Sequence, residues 1–389
     1  MYNSNFENKF SILHFCSYTW ETGGPPNVIY NHSRFLIEND WTVHIASSIA
    51  KSSHIYSSIL GMKIFLFKKS YISAFFKDFS INMLIWFVKN RHNYTVINVH
   101  GLWNLGSILP FYLNNKAIKI ITVHGFLDSY VMENSKFFKR IFWNFIQKKC
   151  FKRASLIHAI SKSEYYYLVK IFPEYVDKIV LIPNGLYAPN SYKDIDYKFK
   201  SLIDTYIKQD DFVFLFLSRI SEKKGLNILV PAFNKLVNDF PESKLIIAGP
   251  QGDFSDELKK LVLNNSNIIL LPSCIEWSKD YLFKISDVFV LPSYSEGFSI
   301  AALEAISYGK PSIFSNYIGF SDDIIRFKAG LICETTILSL YDHMLEIYKS
   351  SELRNELMLN SQRLFSTNFR MDYIGQLFLN RINNLLHAN

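Results

Sequence analysis

Two groups of charged residues in the second half of the chain could hold a phosphate-bearing ligand. One is Arg219 and Lys224 in the run SRISEKKG. The other is Glu296 and Glu304 in PSYSEGFSIAALEAISYG, residues 292–309. Arginine can grip two phosphate oxygens at once, while lysine adds a movable point charge. A helix starting near Ser299 would offer the backbone N–H groups of Phe298, Ser299, Ile300 and Ala301 to the same anion. Glu296 stands just before that helix and Glu304 about one and a half turns into it, so the two carboxylates can address opposite ends of one ligand. Each piece has a plainer explanation: Glu296 and Ser299 as helix caps, Arg219 and Lys224 as a solvated turn. Together, each at the point where a strand ends and a helix begins, they favour a diphosphate.

The first half offers fewer charges and more glycine. Gly23 and Gly24 follow the first strand-like run, in ETGGPPN, and let a backbone approach a charged ligand. No G-x-G-x-x-G is present, so dinucleotide binding has no support. His100 and His124 each precede a glycine at the end of a strand-like run. A histidine there is usually structural, but a His-Gly pair at the ligand edge of a sheet can meet a sugar hydroxyl or a developing charge. Pro183, Asn184 and Gly185 read as a turn. Asp194 and Asp196 match the D-x-D pattern of metal-dependent transferases, but lie in a polar stretch with no strand feeding it and read as surface. No metal site is expected.

The elements that must carry these residues are legible as short apolar runs separated by helical patterns. They fall at 10–16, 42–47, 62–67, 94–99, 118–123, 155–159 and 178–182, and then at 212–218, 244–248, 268–271, 287–291, 311–315 and 331–333. Runs this short and this apolar indicate parallel strands covered on both faces, the βαβ pattern. The pattern pauses in YAPNSYKDIDYKFK. The expected organisation is one α/β domain over 1–190, a linker over 191–210, a second over 211–366, and a terminal helical segment over 367–389 packing back toward the first domain. Ile374, Leu377, Phe378, Ile382 and Leu385 give that segment its apolar stripe.

Composition narrows the partners. A chain of 389 residues with 49% hydrophobic and 20% charged side chains suits two cores. The net charge of +8 implies an anionic partner: a phosphate-bearing ligand, an anionic membrane surface or nucleic acid. No zinc finger, RNP motif or basic arm supports nucleic acid. Residues 136–153 interleave seven basic and six aromatic side chains, and contact with an anionic membrane is expected there, with packing of the aromatics as the alternative. Four scattered cysteines form no disulfide or zinc pattern. The first twenty residues do not read as a secretory signal, and no stretch is apolar enough to span a bilayer. A cytoplasmic protein, peripheral on the inner face of the membrane, is expected.

These motifs together resemble the family 4 retaining glycosyltransferases. The resemblance rests on Gly23-Gly24, HGFLDSY at His124, HAISKSE at His158, IPNG at Pro183, SRISEKKG and the run from Glu296 to Glu304, and covers almost the whole chain. It is nearest to bacterial members that build surface polysaccharide and lipopolysaccharide. It implies two Rossmann-like doubly wound parallel-sheet domains facing a cleft (the GT-B fold) and transfer of a sugar from a nucleotide-diphosphate sugar to a glycan or lipid-linked acceptor, without metal or other cofactor. Arg219, Lys224 and the backbone at Phe298, Ser299 and Ile300 would then neutralise the diphosphate. Glu304 would take the ribose hydroxyls, Glu296 and His124 the transferred sugar, Gly23 and Gly24 the phosphates, and Cys274 and Ile275 the base. Where the family usually has G-R-L this chain has Ser218-Arg219-Ile220, and for S-P-H-G it has Thr122-Val123-His124-Gly125; no charged group is lost. The same fold also serves sugar-nucleotide 2-epimerases, and a catalytically silent sugar- or nucleotide-binding scaffold would be expected to lack the intact clamp.

Overall fold

Most strands that read as almost wholly apolar are buried on both faces, the edge strand Met62–Lys68 only partly, and the sheets are parallel throughout. The computed structural model describes residues 10–20, 24–49, 61–70, 80–103, 105–113, 116–125, 143–189, 197–263, 265–274 and 276–388. Seven strands, β1 (Ser11–Thr19), β2 (Thr42–Ile49), β3 (Met62–Lys68), β4 (Val96–His100), β5 (Ile118–Thr122), β6 (Leu156–Ala159) and β7 (Ile179–Leu181), pair in the order β3-β2-β1-β4-β5-β6-β7. Six more, β8 (Phe212–Leu217), β9 (Ser243–Ala248), β10 (Ile268–Leu271), β11 (Val288–Leu291), β12 (Ser312–Ser315) and β13 (Leu331–Cys333), pair as β10-β9-β8-β11-β12-β13. β4, β6, β11 and β12 are buried at every position, which is why they show no polar alternation. In each sheet the order reverses beside its first strand, at β1/β4 and at β8/β11. Doubly wound sheets bind ligands at the carboxyl ends of strands at such reversals.

The chain forms two units, Met1–Gly185 with Met371–Asn389, and Leu186–Arg370. The helix Met371–Ala388 buries Ile374, Phe378, Leu379 and Ile382 and packs on the helix Gly24–Glu38, where the Phe378 ring meets His32 edge-on at 5.3 Å. At Gly375 the approach is so close that a Cβ would lie 2.4 Å from the ring of Phe35. The stretch expected as a linker, 191–210, instead contains a helix, Tyr197–Asp204, in the second unit. Phe199 and Ile203 lie one turn apart on it. Ile203 is fully buried, Phe199 meets Trp277 edge-on at 5.3 Å, and the Tyr281 hydroxyl donates to Asp204 at 2.9 Å. Of the polar residues that suggested a linker, Lys198 and Lys200 lie on the exposed side of this helix, while residues 190–196 lie outside the described residues.

Candidate active site

In the second unit the clamp residues leave the carboxyl end of β8. Arg219 is exposed, and the chain passes through a 3-10 turn, Glu222–Lys224, to Gly225 at the head of the helix Leu226–Asp239. Gly225 has φ +75°, and a Cβ there would stand 2.1 Å from the carbonyl oxygen of Pro292. Glycine is therefore what lets the Lys224 turn lie against the loop after β11. That contact is fastened by the Tyr294 N–H, which donates to the Lys223 carbonyl at 2.8 Å. The two charged motifs recognised in the sequence are thus one piece of structure.

The result is an ion pair between Lys224 and Glu296, with side chains 15% and 7% exposed. The Ser293 hydroxyl donates to the same Glu296 oxygen at 2.8 Å. A carboxylate and an ammonium held this far from water need each other, or a ligand that replaces one of them. A diphosphate would compete with Glu296 for Lys224, leaving the carboxylate to accept from sugar hydroxyls.

The helix Ile300–Ser307 begins where expected. Ser299 caps it, its hydroxyl accepting the Ala302 N–H at 3.4 Å, with its own backbone at φ 76°. A non-glycine residue avoids that conformation unless its surroundings impose it. Phe298 supplies the anchor: its ring is buried against Phe320 at 4.9 Å and Phe369 at 5.9 Å, so only its backbone can face a ligand. Glu304 is paired with Lys279 of the helix Glu276–Ile285, with side chains 12% and 24% exposed. Lys279 escaped the sequence reading because nothing in a single chain couples positions on two successive helices. Its one signal is a lysine a turn beyond Cys274. Cys274 is half-buried; burial raises its thiol pKa while Ser278 and Lys279 pull it down. Ile275 lies outside the described residues.

In the first unit, Gly24 opens the helix Gly24–Glu38 beyond β1. Gly23, Asp194, Asp196 and residues 136–142 lie outside the described residues. His124 sits just past β5 at φ 57°. The following N–H, of Gly125, donates to buried Glu164 at 2.7 Å, and the other Glu164 oxygen takes the Ile160 N–H at 2.8 Å. One carboxylate so ties the ends of β5 and β6 together, a role the sequence reading did not assign to Glu164. The turn at Pro183 and Asn184 proves to be an anchor point: the Ile182 carbonyl accepts from His158 Nε2 at 2.8 Å. His158 is therefore protonated at Nε2, and burial lowers its pKa to about 4.

From residue 143 onward, the segment expected to meet a membrane turns part of its aromatic content inward. Trp143 and Phe151 are buried, and the Arg153 guanidinium lies 4.1 Å over the Tyr112 ring. Among the described residues no helix is long and apolar enough to cross a membrane, and no group of three or more His, Cys, Asp or Glu side chains is disposed to hold a metal ion.

The sequence matches the family models described as Glycosyltransferase Family 4, over residues 22–187, and Glycosyl transferases group 1, over 199–363. It is 27% identical over 324 residues to the UDP-Gal:alpha-D-GlcNAc-diphosphoundecaprenol alpha-1,3-galactosyltransferase of Escherichia coli, covering 79% of this chain and 81% of that one. It is 24% identical over 350 residues to the capsular polysaccharide biosynthesis glycosyltransferase CapM of Staphylococcus aureus, covering 88% and 90%. The fold is that of Anabaena HepE, solved in complex with UDP-glucose, at a TM-score of 0.72 and 15% identity over 97% of this chain and 100% of that one. With each of its two parallel-sheet units matched by one of these models, the chain belongs to the group 1, family 4 glycosyltransferases of the GT-B fold.

Proposed function

We propose that the protein transfers a hexose from a nucleoside-diphosphate sugar to a glycan or lipid-linked acceptor in the synthesis of a surface polysaccharide, with retention at the anomeric carbon. The observation that carries this reading is the joining of Lys224 to Glu296 beside the start of the Ile300–Ser307 helix, with Glu304 on the same helix. On this reading Arg219, Lys224 and the helix N–H groups take the diphosphate, Glu296 the sugar and Glu304 the ribose.

As the glycosidic bond to the diphosphate breaks, negative charge grows on the leaving oxygen. Arg219, Lys224 and the N–H groups at Ser299 and Ile300 are preorganised to meet it, and such donors act most strongly on charge that develops during the reaction. Glu304 would accept from the ribose hydroxyls and Glu296 from the sugar. Gly24 would serve the phosphates and His124 the sugar. The base would lie by Cys274 and Ile275. No side chain here is assigned as a covalent nucleophile; the leaving phosphate would take the acceptor's proton on the same face. The E. coli relative's lipid diphosphate acceptor and HepE's UDP-glucose make a lipid-linked acceptor and a UDP-sugar the first choices to test.

A thermal-shift screen of UDP-, GDP-, ADP- and dTDP-sugars tests the reading, because a ligand that binds only the folded state raises its melting temperature. At least one sugar nucleotide should shift the transition, and should do so in excess EDTA. A flat response across the panel, or a shift abolished by EDTA and restored by magnesium or manganese, would overturn respectively the donor site or the metal-free clamp.

A further inference from the structure

Five histidines of the first unit, His14, His32, His100, His124 and His158, lie close enough to feel one another's charge, and the reaction described above uses none of them as an acid or base. Three form a chain. His14 Nδ1 lies 2.8 Å from His100 Nε2, and His100 Nδ1 lies 2.8 Å from His124 Nε2. His14 and His100 are 1% and 3% exposed, on the adjacent strands β1 and β4, and His124 follows β5, the next strand in the sheet. Burial drives the His14 and His124 pKa values down to about 3 and that of His100 well below its ordinary value. All three rings are therefore neutral at any working pH, each with one N–H and one bare nitrogen. Each contact needs one proton, so the state of either end fixes the whole chain.

The His14 end decides the direction. Its Nε2 is buried and has no hydrogen-bond partner. A buried bare nitrogen costs less than a buried orphan N–H, since orphan donors are the rarer defect in folded proteins. His14 then carries its proton on Nδ1 and donates to His100 Nε2. His100 carries its own on Nδ1 and donates to His124 Nε2. We propose that His14 and His100 are positioning residues that hold His124 as its Nδ1–H tautomer, with Nε2 committed as an acceptor, so that the direction of its one N–H is fixed. The strained backbone at His124, at φ 57°, is the setting in which such outside support is expected. The value of this arrangement to the enzyme rests on His124 meeting the transferred sugar; the tautomer itself does not.

The experiment is 15N NMR on histidine-labelled full-length protein without ligand. His100 and His124 should each be protonated at Nδ1, with a trans-hydrogen-bond 15N–15N coupling between His100 Nδ1 and His124 Nε2. Protonation of His124 at Nε2, or absence of the coupling, overturns the proposal whatever the variants do. In His100→Leu the His124 ring loses its donor and should move toward the Nε2–H form that free histidine prefers. In His100→Gln the amide can accept from His14 and donate to His124, and the Nδ1–H form should return. Calorimetry with UDP-glucose and UDP then separates the two claims. His100→Leu should weaken UDP-glucose about fivefold, the worth of one neutral hydrogen bond, leave UDP unchanged, and be rescued in His100→Gln. A tautomer that shifts as described with an unchanged UDP-glucose to UDP ratio removes the sugar contact and leaves the relay standing.

Discussion

At the scale of single residues, the ion pair between Lys224 and Glu296 makes the two halves of the site respond in opposite ways. On the proposed assignment, Lys224→Ala and Arg219→Ala each remove a charge partner of the leaving diphosphate, and both should lower turnover by about 10²- to 10³-fold, with the loss in kcat as well as KM. Glu296→Gln removes the carboxylate that competes for Lys224. UDP should then bind at least as tightly as to the wild type, while turnover falls, because the sugar loses its acceptor. Calorimetry with UDP beside steady-state rates distinguishes these outcomes. Near wild-type rates in the Arg219 and Lys224 variants, or weaker UDP binding in Glu296→Gln, would mean that the phosphate site has been misplaced.

At the scale of elements, the decisive contact is between loops. The turn after β8 and the loop after β11 meet at Gly225 and Pro292, and charged side chains on both depend on that meeting. Gly225→Ala brings a Cβ to 2.1 Å from the Pro292 oxygen in a backbone with φ +75°. Strain of that kind costs about 1–3 kcal/mol, and relief requires the loops to separate. The expected result is a lower melting temperature together with weakened UDP binding, although no ligand-facing group has been touched. A variant with wild-type affinity would show that Lys224 and Glu296 do not depend on this contact for their placement. Glu164 has the equivalent place in the first unit, since its carboxylate holds the N–H groups of Gly125 and Ile160 and with them the turn that bears His124.

At the scale of the whole molecule, the buried histidines and the net charge set the response to solution conditions. An unfolded chain takes up protons on histidine near pH 6.5, whereas His14, His124 and His158 in the folded unit resist until about 3 to 4. Their folded pKa values are lowered, so stability is complete above 6.5 and drains away as pH falls toward those values. Each ring accounts for at most about 1.4 kcal/mol per pH unit. Melting temperatures should therefore fall between pH 7.5 and 5, and less steeply in His32→Phe, whose ring would replace a buried imidazole already packed edge-on against Phe378 at 5.3 Å. Equal melting at pH 7 and pH 5 would contradict the neutral cluster. The charge of +8 predicts binding to anionic vesicles at low salt and release at high salt. Trp143 and Phe151 are buried, so those two rings are not presented to a bilayer. Salt-insensitive binding to neutral vesicles would contradict the attraction by charge.

The sequence by itself determined the plan of two α/β units and the charged residues worth naming. Short all-apolar runs repeated between helical patterns indicate strands covered on both faces, and charges at the ends of such runs fall at a sheet's edge, where open α/β sheets bind ligands. It also placed the cap at Ser299 and the apolar stripe of the terminal helix, because both are local patterns. Tertiary structure decided what those charges do to one another. That Lys224 meets Glu296, that Lys279 answers Glu304, and that His14, His100 and His124 form a chain depend on the sheet orders β10-β9-β8-β11-β12-β13 and β3-β2-β1-β4-β5-β6-β7. Strand order brings residues distant in sequence side by side, and no periodicity encodes it. The helix Tyr197–Asp204 was hidden for a related reason: eight mostly polar residues read as a linker until Phe199, Ile203 and Asp204 find Trp277, a buried core and Tyr281. A short helix owes its stability to the face it packs, and that face exists only in the folded unit.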